Sequence, residues 1–273
     1  MIFEKLLSLL SRGRYPAPPD TPRRNIAALV KPFEMPALHA VHTAGRTRSW
    51  FGGDPGLPPG MAPPVHGDKP LTFLARLSLA ELHAAGAFDW LPRDGALLFF
   101  YDAEEQPWGY DPADRGKWAV LHIADSGDTP SGSQCIAFTP ISTAPSWERP
   151  QVRDLALTDA EADDLFALHE APFGSEPKHQ VSGWPAPIQG DNMELDCQLA
   201  CNGVYCGTPE GYQGTRAKAL TAGAPSWRLL LQIDSDERVD YQWGDCGTLY
   251  FFVEEQRARA GDFTNVWLQL QCS

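Results

Sequence analysis

Asp234 and Asp236 close an apolar run, Trp227-Arg-Leu-Leu-Leu-Gln-Ile-Asp-Ser-Asp236. At a strand end the i, i+2 spacing sends both carboxylates to one side. Two neighbouring carboxylates split their pKa values and can work as acid and base. Asp245, in Trp243-Gly-Asp-Cys-Gly247, is a candidate third member, with Trp243 beside it. The same residues also suit a strand exit, where Asp and Ser bond to nearby backbone N–H groups. A second constellation is Glu105-Gln-Pro-Trp-Gly-Tyr110. Trp108 and Tyr110 next to Glu105 and Gln106 offer a stacking platform with acceptors, suited to a sugar or a cationic side chain; the plainer alternative is a turn whose Trp108 closes the core. A third is Gln189-Gly-Asp-Asn-Met-Glu194, in which Gln189, Asp191 and Glu194 cluster oxygen donors after a glycine. Such donors can hold a hard cation, but the calcium-loop order is missing, and Asp191 and Asn192 equally suit capping.

Recognised catalytic signatures are absent. The chain has no G-x-S-x-G, phosphate-cradling G-x-x-x-x-G-K-[ST], H-E-x-x-H or G-x-G-x-x-G, and its seven histidines are scattered. Cys197-x3-Cys201-x4-Cys206 lacks the paired C-x2-C of structural zinc sites, so buried free thiols and no metal or cofactor are expected. Cys246 sits beside Asp245, a neighbour that raises a thiol pKa and disfavours nucleophilic use. A net charge of −13 repels nucleic acid and anionic membranes and complements a basic protein. No apolar run reaches the roughly 18 residues of a membrane span. Glu4 and Lys5 interrupt the apolar N-terminus, so a cytoplasmic protein, monomeric, is expected.

The elements that must position these residues are short, as 24 glycines and 25 prolines in 273 residues require. Phe51–Gly60 aligns with Val181–Gly190, Thr72–Leu79 with Arg228–Ser235, Gly95–Asp102 with Gly247–Glu254, and Trp118–Ile123 with Val266–Gln271, in one order. The pattern predicts an α+β protein of mainly antiparallel β-strands in two related halves, an internal duplication, with a few short helices. Residues 1–45 are read as an N-terminal helix (1–15) and proline-rich arm, 46–125 as the first half, 126–177 as a connector with a helix, and 178–273 as the second half. Gln232 and Gln269 are the polar exceptions within strands. Ser78-Leu-Ala-Glu81 and Thr158-Asp-Ala-Glu161 are capping boxes that open helices, and a minor helix is expected near Thr215–Leu220.

Glu105–Pro112, Pro187–Asp191, Cys197–Leu199 with Gly203–Gly207, Trp227–Asp236 and Trp243–Gly247 are idiosyncratic strings. Together they resemble the bacterial YwqG-like family, a family of unknown function, over roughly residues 48–272, one compact unit within 46–273. Residues 1–45 and Cys201 lie outside the resemblance. It implies a mixed α and β fold, an intracellular protein and no assigned catalytic residues. Similar proteins are encoded near polymorphic toxin systems, which implies an immunity role. The leading expectation is a non-catalytic protein-binding module with a basic, toxin-like partner. The alternative is an enzyme or small-ligand binder using a cleft between the halves.

Overall fold

The computed structural model describes residues 22–273, apart from residue 87 and residues 126–131. The expected helix over residues 1–15 and the opening of the arm lie outside the described residues. Apolar runs bounded by Gly, Pro and Asp form the strands: β1 (Met35–His42), β2 (Trp50–Phe51), β3 (Val65–His66), β4 (Lys69–Pro70), β5 (Thr72–Ser78), β6 (Ala96–Tyr101), β7 (Trp118–Ile123), β8 (Gln134–Thr143), β9 (Gln180–Val181), β10 (Trp227–Asp234), β11 (Thr248–Glu254) and β12 (Trp267–Gln271). β3 and β4 form a separate hairpin; the rest make one sheet, ordered β12-β11-β10-β9-β1-β8-β2-β5-β6-β7. Every pairing in it is antiparallel.

The meanders β5-β6-β7 and β10-β11-β12 share one register. Ser78 faces Ala96, which faces Ile123; Asp234 faces Thr248, which faces Gln271. Each first hairpin shifts register at the same place, past Leu74 in one and Leu230 in the other. β2 lies on β5 as β9 lies on β10, with Trp50 opposite Arg76 and Gln180 opposite Gln232. These pairs coincide with the strings aligned from sequence.

β1 and β8 lie outside the two meanders. β1 falls in the region read as an arm, β8 in the region read as a connector, yet they pair at the centre of the sheet with Val41 opposite Ala137. Each crosses over: β1 pairs with β9 of the second meander's side, and β8 with β2 of the first. Pro36 and Pro140, residues that ordinarily mark an edge or a strand end, disguise both.

The sheet curls until its ends approach, giving a nearly closed barrel. The rings of Trp118 (β7) and Trp267 (β12) meet edge to face at 4.9 Å. Trp118 Nε1–H donates to Val266 O (2.9 Å), and Trp267 Nε1–H to Gly109 O (2.7 Å). Inside, Phe99 of β6 meets Phe251 of β11 edge to face at 5.2 Å, so one apolar core joins both meanders. β6 and β12 are buried along their whole length, consistent with apolar runs covered on both faces.

Short helices pack outside: α1 (Ile26–Val30), α2 (Leu79–Ala85), α3 (Pro150–Arg153), α4 (Asp159–Glu170), α5 (Met193–Ala200), α6 (Pro209–Gln213), α7 (Thr215–Leu220) and α8 (Glu255–Arg259). The Thr158–Glu161 capping box forms as read from sequence. The Ser78–Glu81 box does not: Ser78 Oγ donates instead to Asp125 (2.9 Å), and Glu81 accepts from Arg48 N–H and Ser49. No helix among the described residues is long and apolar enough to cross a membrane.

Candidate functional site

Three strand ends converge where β1, β9 and β10 run together. His42 is the last residue of β1, His179 precedes β9 and Asp236 follows β10. Asp236 Oδ2 accepts from His42 Nε2 (2.6 Å) and His179 Nε2 (3.1 Å); Oδ1 accepts from the backbone N–H (3.0 Å) and Nε–H (3.1 Å) of Arg238. Burial alone would raise the Asp236 carboxyl, but the donors from His179, Arg238 and His42 outweigh it and hold it well below the usual carboxylate range. Burial, only partly opposed by Asp236, pushes His179 down and keeps it neutral.

His42, His179 and Asp236 are the group of three donors close enough to share a metal among the described residues, their atoms lying within 4.8 Å of one another. The proton positions argue against that use. The backbone N–H of Asp234 donates to His179 Nδ1 (3.1 Å), so the ring proton must sit on Nε2, the nitrogen that faces Asp236. A metal on Nε2 would move that proton to Nδ1, leaving two donors pointed at each other in a buried site. The first meander makes a matching brace without histidine. There Ser78 N–H donates to Ser49 Oγ (2.9 Å), whose hydroxyl donates to Glu81 (2.6 Å). Ser78 and Asp234 occupy the same register position, so the histidine–aspartate cluster is a more polar version of a strand-end staple.

A recess of about 470 Å³ opens beside the cluster, lined by Lys178, Asp234, Asp236, Tyr241, Cys246 and Thr248 among others. Asp234 Oδ1 accepts from Ser235 N–H (3.0 Å) and Thr248 Oγ1–H (2.9 Å), and Oδ2 from Lys178 N–H (2.9 Å). Both acids of the i, i+2 pair are thus occupied by the chain itself. Trp243 is buried against Tyr101 and Tyr241, its Nε1–H donating to Asp234 O (3.2 Å). Asp245 stands exposed on the next turn, its carbonyl accepting from Ser273 N–H. Gln106 reaches this turn from the first meander: its Nε2–H donates to Gln242 O (3.0 Å) and its Oε1 accepts from Gly244 N–H (2.8 Å).

The remaining candidates lie elsewhere. Glu105 pairs with Lys117 (3.1 Å) on the surface. Trp108 is 41 % exposed, and its carbonyl accepts from Leu270 N–H of β12. Tyr110 is half-buried and pushed up to about 12 by burial. Gln189 is exposed, its N–H donating to Gln271 Oε1 (3.0 Å). Asp191 and Glu194 do surround a cation, but it is the guanidinium of Arg149. Nε–H donates to Asp191 Oδ2 (2.5 Å), and Nη2 bonds Asp191 Oδ1 and both oxygens of Glu194 (3.0 and 2.8 Å). The candidates therefore form three groups, around the 470 Å³ recess, on the loop over β12, and at Arg149. Sequence spacing missed His42, His179 and Arg149, because each partner is distant in the chain: 194 residues separate His42 from Asp236 and 42 separate Arg149 from Asp191. Cys197, Cys201 and Cys206 form no metal cluster among the described residues. Burial pushes the Cys201 and Cys206 thiols up to about 11 and 12.

A nearly closed, mainly antiparallel sheet with braced strand ends, at which His42 Nδ1 is buried without a partner, defines an α+β domain protein. The family model described as "domain of unknown function (DUF1963)" matches residues 49–272, and the chain belongs to that family. The match begins after β1, although that strand fills the centre of the sheet. No curated protein matches the chain by sequence.

Proposed function

We propose that the chain is a non-catalytic, cytoplasmic and monomeric protein-binding module whose partner is a basic protein. The observation that carries this is four exposed large apolar side chains on segments bonded to β12 or to one another. Trp108 is 41 % exposed, Tyr205 48 %, Ile188 36 % and Trp147 49 %. Backbone and side-chain bonds tie their segments to one another. Trp108 O accepts from Leu270 N–H, Tyr110 O from Cys206 N–H, Gln271 Oε1 from Ile188 N–H (2.9 Å), and Glu148 from Asp191 N–H (2.8 Å). Exposed tryptophan and tyrosine are the usual anchors of protein interfaces. A chain of net charge −13 speeds encounter with a basic partner.

We read that partner as a toxin and the chain as its immunity protein, a reading that the YwqG-like resemblance supports. The shared registers and bulges support descent of the two meanders from one duplicated unit, each having exchanged its first strand with the other. The test is affinity capture from the native host with the wild-type chain and with Trp108→Ala/Trp147→Ala. A stoichiometric partner is expected that is lost by the double variant and released as salt rises. A partner retained equally by the variant, or none at all, refutes the proposal. Co-expression with a neighbouring toxin gene should protect the host if the immunity role is right.

A further inference from the structure

A second recess, of about 290 Å³, lies at the start of β10 among Met35, Arg149, Trp184, Glu194, Trp227 and Leu229. It is built from six segments: the start of β1, the α3 region, the loop after β9, the first turn of α5, the turn at Ala224 and Pro225, and β10. Its polar anchor is immobile. The Arg149 guanidinium stacks over the Trp184 ring at 4.8 Å and is held by Asp191 and Glu194. Nε and Nη2 are spent on those carboxylates. Among the described residues Nη1 donates to no protein oxygen, nor is it a buried orphan, so it is the guanidinium nitrogen open to a ligand. On the same rim stands Asn192, whose side chain makes one long contact, 3.5 Å to Asp196, and leaves its carbonyl oxygen free.

The charges decide the class of ligand. Arg228, the other cation on the lining, is spent on Glu255 (2.8 Å) and on the Pro225 and Trp227 carbonyls; Arg149 already faces two carboxylates, so an anion placed on Nη1 would meet uncompensated negative charge. A cation would compete for the Glu194 oxygens that Arg149 Nη2 occupies at 3.0 and 2.8 Å. A neutral carbonyl oxygen needs only the free N–H, and the Asn192 amide, donor and acceptor at once, complements a second amide. The half-buried Met35, Trp184 and Leu195 supply the apolar surface for a body, and the volume sits at the small end of ligand sites. We infer that this recess binds a small neutral molecule with an apolar body and an amide edge, its carbonyl on Arg149 Nη1.

The inference is independent of the protein-binding side chains and is tested on the full chain. Three probes that share the leucine side chain and differ in charge and in the amide each charge replaces are N-acetyl-L-leucinamide (neutral, two amides), N-acetyl-L-leucine (anionic, acetyl amide only) and L-leucinamide (cationic, C-terminal amide only). They are titrated by saturation-transfer NMR, with tryptophan fluorescence as a second readout. The neutral probe should bind saturably with a Kd on the order of 1 mM, and each charged probe at least about fivefold more weakly. Asn192→Ala should weaken the neutral probe about threefold to tenfold. Ala224→Phe, which fills the recess from its rim, should abolish binding. Trp108→Ala/Trp147→Ala should leave it unchanged. Failure of the neutral probe to saturate by about 10 mM, equal or tighter binding of a charged probe, or binding undiminished in a folded Ala224→Phe variant would each overturn the assignment. The charge series on the wild-type chain decides the matter even if a variant does not fold.

Discussion

Single residues carry the closure of the sheet and its response to pH. Gly109 has φ +81°, and a Cβ there would lie 1.8 Å from the Leu268 carbonyl oxygen of β12. Backbone cannot yield as a flexible side chain would, so Gly109→Ala should destabilise by about 3 kcal/mol or more. Urea midpoints of the two proteins measure it, and a change under about 1 kcal/mol would show the closure to be pliable. Asp196 acts in another way. Burial pushes it up to about 7, so the fold favours its protonated form. That preference is complete below the ordinary carboxylate value and is lost as pH rises through about 7. Tyr212 Oη–H donates to Asp196 Oδ1 (2.7 Å), a bond that an amide can also accept. Asp196→Asn should therefore stabilise by roughly 1–3 kcal/mol at about pH 8 and by little at about pH 4. Equal melting shifts at both pH values would contradict this account. These roles were hidden in the sequence, since Gly109 looks like any turn glycine until β12 is laid against it.

Elements differ in how much of themselves they show in sequence. The meander strands were legible because Leu, Phe, Ile and Tyr runs end at Gly or Asp, and a buried strand tolerates little else. β1 and β8 were not, because their prolines and half-exposed polar positions are compensated by pairing with each other, which no local window contains. The recess residues failed the same way: Asp191 and Glu194 announced a cation-binding cluster, but the cation was a side chain from α3's entrance. α4 was legible from its capping box, though not its anchor. Arg24 Nε–H and Nη2–H donate to Glu161 (2.8 and 2.7 Å), while Glu161 also accepts from Thr158 N–H (2.9 Å). The Arg24 hydrogen bond, ahead of Thr158, holds the Glu161 carboxyl below its usual range. Arg24→Ala should speed amide hydrogen exchange in the first turn of α4 by about tenfold and leave β6 and β11 unchanged. Unaltered exchange in α4 would show that the capping box suffices alone.

At the scale of the molecule, the crossed strands β1 and β8 and the shared core bind the two meanders into one cooperative unit. Neither side can open without exposing β2 or β9 and the Phe99–Phe251 contact. Calorimetry should therefore give a single transition with matching calorimetric and van't Hoff enthalpies, despite a length at which chains commonly divide. Two resolved transitions would mean that the meanders are separable. The shared register of the two meanders was legible from four aligned strings, whereas the crossed pairing of β1 and β8 was not, since sequence similarity does not say which neighbour a strand chooses.

The crossed pairing of β1 and β8 also constrains the order of events on the ribosome. β1 is made early, but both strands that flank it, β8 and β9, are made after the whole first meander. The hairpins β5-β6-β7 can pair as soon as they emerge, while β1 waits through about a hundred residues of synthesis for its neighbours. The nascent chain must carry the strand destined for the middle of the finished sheet unpaired while the first meander is already complete.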